Sequence, residues 1–173
     1  MSLIILEGLD KSGKSTIAKK LKLQPIFKMH NTSQMRKNDE VLNSCSEVYD
    51  RLLAQIAQKE LCRFVVNRGF VTGLVYSKIY NRKYPLYVIP LLKSIKDNVV
   101  FIHLYYDLKE RRRSDKDKFV SNDKLKLIDR EYKVVFRKLR KMGFKILSIN
   151  TSKNNIKETM NKVYRFLGWT WHI

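Results

Sequence analysis

This chain has little sulfur, few acids and no long apolar run, and each shortage removes a class of protein. Only two cysteines, Cys45 and Cys62, occur among 173 residues, and they lack metal-ligand spacing. They read as small buried hydrophobes of a reducing compartment, which excludes a disulfide scaffold. The three histidines, His30, His103 and His172, are scattered and suggest no metal site. No apolar stretch approaches bilayer length, and the N-terminus begins as a short strand rather than a signal peptide. A cytoplasmic location without a membrane partner is therefore expected. Internal repeats and low-complexity linkers are missing as well, so residues 1–173 are expected to form one domain with an adequate core.

Acids are scarce in a telling way. The chain carries 36 Lys and Arg against 16 Asp and Glu, a formal net charge of +20. Self-repulsion on this scale costs stability and points toward a polyanionic partner. The basic residues are also segregated. Residues 11–37 carry Lys and Arg but no acid, and residues 68–96 (Arg68, Lys78, Arg82, Lys83, Lys93, Lys96) do the same. In the C-terminal half the two signs alternate, as on a solvated helix.

What is present is concentrated near the start. Gly8-Leu9-Asp10-Lys11-Ser12-Gly13-Lys14-Ser15 fits G-x-x-x-x-G-K-[ST], with the apolar run Leu3–Leu6 before it and a helical stretch over 15–23 after it. A strand ending in such a loop lets backbone N–H groups turn toward an anion, and the next helix presents its positive end to the same anion. Gly8, Lys11, Ser12, Gly13, Lys14, Ser15 and Thr16 are the expected phosphate-binding residues. Lys14 is expected to reach the β- and γ-phosphates of ATP, and the Ser15 hydroxyl to join the shell of Mg²⁺.

Hydrophobic periodicity alternates between strand and helix along the chain. Strands are expected at about 3–6, 26–30, 64–66, 99–104 and 145–149. Helices are expected at about 39–60, 72–80, 86–95, 122–142 and 154–167. The expected fold is α/β, a five-stranded mainly parallel sheet with helices on both faces and a small lid. Ligands of such folds sit beyond the carboxyl ends of the strands, where the phosphate loop and Asn67-Arg68 both lie. Arg68 suits a phosphate oxygen of donor or acceptor. The charged segment Asp107–Phe119, with Arg111-Arg112-Arg113, has the character of a mobile lid (about 107–121). Arg112 is the candidate for stabilising a transferring phosphoryl group. Asp10 would repel phosphate, so its side chain is expected to point toward the acceptor.

The run Glu7–Thr16 resembles the P-loop of thymidylate kinases, Asn67-Arg68 with Tyr76 sits where that family has Asp-Arg, and the 111–119 segment sits where it has its lid. The resemblance implies a nucleoside monophosphate kinase-like core, ATP–Mg²⁺ as donor and a thymine nucleotide as acceptor. Asp10 would approach the acceptor and Arg68 its phosphate. Two features depart from the family. Asn67 replaces its acid, and Lys28–Ser33 stands where it places an arginine-bearing acceptor loop. With the basic stretches and Phe27, Phe70, Tyr76, Tyr80, Tyr84 and Tyr87 interleaved, they point to an acceptor within DNA. Lys78, Arg82 and Lys83 are the candidate nucleic-acid contacts. Some phage relatives phosphorylate the hydroxymethyl group of 5-hydroxymethyluracil in DNA, and this chain resembles what such an enzyme needs, with Asp10 as general base. A conventional thymidylate kinase, a polynucleotide kinase and a non-catalytic nucleotide-gated DNA-binding protein remain the alternatives.

Overall fold

The computed structural model describes residues 3–21, 26–28, 39–59, 64–83, 85–110 and 121–169, with 26–28, 39–46 and 110 described by backbone alone. The strands are β1 (Leu3–Glu7), β2 (Ile26–Lys28), β3 (Phe64–Asn67), β4 (Val99–Tyr105) and β5 (Lys145–Asn150). The helices are α1 (Lys14–Lys20), α2 (Asp39–Lys59), α3 (Phe70–Ile79), α4 (Val88–Ser94), α5 (Asn122–Lys141) and α6 (Ile156–Leu167). All the strand pairs are parallel, in the order β2-β3-β1-β4-β5. From β1 the chain therefore goes out to the edge strand β2, returns inward through β3, and then crosses to β4 and β5 on the other side of β1. That reversal beside β1 is where α/β sheets open a crevice.

β1 is buried along its length, and apolar up to its closing Glu7, because both its faces are covered. Alternation then divides its side chains: Leu3 and Ile5 join a core with Leu53, Phe70, Val88, Leu125 and Phe136, drawn from α2, α3, α4 and α5. Ile4 and Leu6 join a second core with Ile17, Ala18, Met160 and Val163, from α1 and α6. Burial of one large apolar side chain contributes about 1.5–3 kcal/mol. These two layers thus fix the height of β1, and with it the position of the loop that leaves its end.

Most boundaries fall within a residue or two of those expected, and the differences have local causes. α3 begins at Phe70 rather than at Thr72, because a carboxylate from β1 holds its first amides. α4 begins at Val88 rather than Leu86, after a turn in which the Val88 N–H donates to the Pro85 carbonyl at 3.1 Å. α6 starts behind a capping box in which Asn155 and Glu158 exchange side-chain-to-backbone hydrogen bonds of 2.9 and 2.8 Å. Of the expected lid, residues 107–110 are described and contain a short 3-10 turn at Leu108–Glu110, while 111–120, with Arg111, Arg112 and Arg113, lie outside the described residues. Among the described residues no helix is long and apolar enough to cross a membrane.

Candidate functional site

The loop after β1 is shaped by two glycines. Gly8 has φ +131°, and a Cβ there would lie 2.0 Å from the Leu104 carbonyl oxygen on β4, so only glycine fits. Gly13 caps α1 at φ +86°. Between them Lys11 also takes a left-handed conformation, φ +64°. The loop borders a cleft of about 320 Å³ lined by Asp10, Lys11, Gly13, Lys14, Ser15, Thr16, Asn67 and Arg68. Of the expected phosphate-binding residues, Gly8 and Ser12 do not line it. Gly8 lies beneath, against β4, and Ser12 faces a second cleft of about 260 Å³. Lys11, Gly13, Thr16, Thr151 and Asn154 contribute to this second cleft.

Lys14 lines the cleft with its ammonium turned toward the loop itself. Its ammonium donates to the carbonyls of Gly8 (3.0 Å) and Leu9 (2.5 Å) and to the Ser12 hydroxyl (3.3 Å), and the residue is 5% exposed. The Lys14 ammonium carries three donors, and these three oxygens satisfy all of them. Burial, helped by the Arg68 charge, lowers its pKa to about 7. Phosphates replacing those carbonyls would favour the charged form.

β3 delivers the opposite wall. The Asn67 amide donates to the Ser15 hydroxyl at 3.0 Å, and its Oδ1 is buried without a partner. Ser15 and Asn67 thus offer two neutral oxygens of the hard kind that suits Mg²⁺, one of them unsatisfied. They would hold that ion, which would neutralise charge on bound phosphates. The described residues contain no cluster of three or more His, Cys, Asp or Glu able to hold a metal by themselves.

Arg68 has φ +74°, uncommon for a residue with a side chain. Its guanidinium meets the Asp10 carboxylate at 2.5 Å, with the Arg68 side chain 18% exposed and that of Asp10 78% exposed. It also lies 5.8 Å from the Tyr76 ring centroid. Asp10 therefore meets Arg68 at the cleft. Lys14, Asp10, Ser15 and Arg68 come together; Arg112 lies outside the described residues.

The proposed nucleic-acid residues do not line either cleft. Lys78 is ion-paired with Glu131 at 2.7 Å. Arg82 lies over the Tyr80 ring, 5.3 Å from its centroid, and Lys83 is exposed. Of the aromatics, Phe70 is fully buried in the core and is thereby removed as a base-stacking surface. Tyr87 donates to the buried Asp50 at 3.1 Å. Burial of that carboxyl raises its pKa to about 7. Tyr76 and Tyr80 stack on each other at 5.8 Å with planes 9° apart, and the Lys124 ammonium covers Tyr80 at 4.1 Å. The side chains of Phe27 and Tyr84, Cys45 and the loop 29–33 lie outside the described residues, as do Cys62, His30 and His172. His103 is a core residue rather than a ligand. It is stacked among Tyr105, Tyr132 and Phe136, and burial lowers its pKa to about 3.

One residue of the site escaped the sequence reading. Glu7, at the end of β1, is fully buried, and its carboxylate accepts four hydrogen bonds from the start of α3. Burial raises its pKa, while Thr72, Arg68 and the Gly69 amide oppose the rise. The only sequence signal is an acid closing an otherwise apolar strand.

No family model and no curated protein matches the chain. Solved structures do. The YorR protein of Bacillus subtilis, in complex with phosphorylated GDP, superposes with a TM-score of 0.70 at 22% identity, with 96% of each chain covered. Thymidylate kinase from Candida albicans gives 0.60 at 16% identity, covering 96% of this chain and 91% of that one. Deoxyadenosine kinase from M. mycoides with bound dCTP gives 0.60 at 16% identity, covering 96% and 98%. The fold is shared with these three proteins.

Proposed function

We propose that this chain is an ATP-dependent phosphotransferase acting on a nucleotide. The observation that carries the reading is convergence. Lys14 and Ser15 from the phosphate loop, Asp10 from its turn and Arg68 from the end of β3 share one cleft. Such a set can do the required chemistry. Backbone N–H groups and Lys14 hold the donor phosphates, with Mg²⁺ held through Ser15 and Asn67. The acceptor oxygen attacks the γ-phosphorus, the bond to the bridging β-oxygen breaks, and ADP leaves. The acceptor's proton passes to Asp10 when the acceptor is an alkyl hydroxyl, and Arg68 stabilises charge on the transferring group. The second cleft, on the Thr151–Asn154 side of the loop, has room for the rest of the donor nucleotide.

For the acceptor, the reading is a thymine-like nucleotide within DNA, the hydroxymethyl group of 5-hydroxymethyluracil first. Its support is the net charge of +20 and the acid-free stretches that flank the cleft residues. The target base would have to leave the stack to reach the γ-phosphate. A second reading, free thymidine monophosphate, is favoured by the likeness in fold to a thymidylate kinase. Labelled ATP with three acceptors (thymidine monophosphate, ordinary DNA and DNA containing 5-hydroxymethyluracil) decides between them. Label on modified DNA alone, lost steeply between low and moderate salt, supports the first. Label on the monophosphate alone, with a shallow salt dependence, replaces it with the second. End-labelling of ordinary DNA would indicate a polynucleotide kinase, and binding without label a nucleotide-gated DNA-binding protein.

A further inference from the structure

Glu7 sits immediately before the phosphate loop, yet its carboxylate accepts four hydrogen bonds from α3 and the turn before it. Oε1 accepts from the backbone N–H groups of Gly69 (3.0 Å), Val71 (3.2 Å) and Thr72 (3.3 Å), and Oε2 accepts from the Thr72 hydroxyl (2.6 Å). With that hydroxyl proton committed, Tyr132 is the donor in its 2.9 Å contact with Thr72 Oγ1. Four donors converging on one side chain call for an acceptor-only group, which is the ionised carboxylate. The helix itself supplies no substitute. α3 has no side-chain cap hydrogen bond and no acid in its first turn.

The same contacts bracket the kink at Arg68. Its own N–H donates to the Leu6 carbonyl at 2.9 Å, and the next N–H, on Gly69, donates to Glu7. Successive amides of the turn are thereby clamped to successive residues of β1. The turn is also pressed close, for a Cβ on Gly69 would lie 3.2 Å from Ile5 Cγ2. A left-handed backbone costs a residue with a side chain about 1–2 kcal/mol, so the surroundings must hold it.

We infer that Glu7 is a positioning residue: its carboxylate locks the turn between β3 and α3 in the left-handed kink that aims the Arg68 guanidinium across the cleft. Because Glu7 adjoins Gly8, one side chain ties the arginine to the frame of the phosphate loop. The kinetic consequence rests on the phosphotransfer reading, but the lock itself does not.

The test is a double-mutant cycle of Glu7→Gln and Arg68→Ala. The readouts are kcat with thymidine monophosphate or 5-hydroxymethyluracil DNA as acceptor, the Kd for ATP, and the Arg68 side-chain Nε resonance. Glu7→Gln is expected to lower kcat about tenfold, leave ATP affinity within about twofold, and lower kcat less than about twofold once Arg68 is gone. An equal loss on both backgrounds, or a matching loss of ATP affinity, overturns the inference. Thr72→Val guards against misfolding of the first variant. It keeps the amide contacts, and it too is expected to act only when Arg68 is present; an effect undiminished without Arg68 overturns the inference. Should the wild-type chain label no acceptor, the phosphotransfer reading fails and the resonance decides. A displaced Arg68 signal in Glu7→Gln supports the lock, and an unchanged one contradicts it.

Discussion

Helices α1 and α3 begin beside one another, on the paired strands β1 and β3, and their first turns are built alike. Neither has an acid in the first turn or a side-chain cap hydrogen bond, and a residue of positive φ stands close before each, Gly13 directly before α1 and Arg68 two residues before α3. They differ in what meets them. The start of α3 is met by a carboxylate of the protein's own, Glu7, whereas Lys14 at the start of α1 turns a cation into the loop. One positive helix end is satisfied internally and so serves as a fixed platform for Arg68. The other, on the proposed reading, meets the phosphates of the donor. On that reading the cleft has a rigid wall and a responsive one.

The comparison can be broken at the responsive wall first. Gly8→Ala forces a Cβ onto the Leu104 carbonyl at a left-handed position, with an expected cost of about 3 kcal/mol. For a chain of this length that is a fall in melting temperature of roughly 10 °C. A variant that melts with the wild type would show that the loop is not held against β4. Lys14→Ala is expected to leave the melting temperature near the wild-type value and to lower phosphotransfer about a thousandfold in kcat, followed by labelled ATP. Arg68→Ala, on the rigid wall, is expected to lower kcat about a hundredfold while ATP affinity stays within a few-fold. Losses that appeared equally in Kd would place Arg68 on the donor in the ground state.

A smaller effect sharpens the account of the wall itself. His103 lies opposite Glu7 in the register of β4 and is held neutral, with a pKa of about 3 against an ordinary 6.5. Below pH 6.5 the unfolded chain takes up a proton there that the folded chain refuses, so stability falls as the pH drops from 6.5 toward 3. His103→Phe, which keeps a ring in the stack, is expected to flatten that acid limb in thermal melts across pH 4 to 7. An unchanged slope would mean that other groups set it. The smallest change is expected of Lys83→Ala, which should reduce the salt slope of DNA binding by about one unit and leave nucleotide binding alone.

The sequence was legible wherever geometry forces residue type. Gly8 and Gly13 occupy backbone positions that few other residues tolerate, and β1 and β4 are apolar on both faces because both faces are covered. Arg68 could be read as a cleft residue because it follows a strand at the ligand-binding edge. Glu7 could not, since its partners are backbone amides more than sixty positions away, which no residue pattern indexes. Phe70 was ambiguous for a related reason. α3 is apolar nearly all round, so periodicity could not separate a stacking surface from the core. Lys78 read as free charge because Glu131, its partner, belongs to a helix far along the chain. The lid arginines fall outside the described residues, and Arg112 keeps only its sequence argument.

The central claim is that residues 8–15 close around the triphosphate tail of a nucleotide. The most direct measurement is a crystal structure with a non-hydrolysable ATP analogue and Mg²⁺. Phosphates are expected in the loop, with the Lys14 ammonium moved from the Gly8 and Leu9 carbonyls to the β- and γ-phosphate oxygens. Nucleotide bound elsewhere, or Lys14 still on those carbonyls beside it, would contradict the claim.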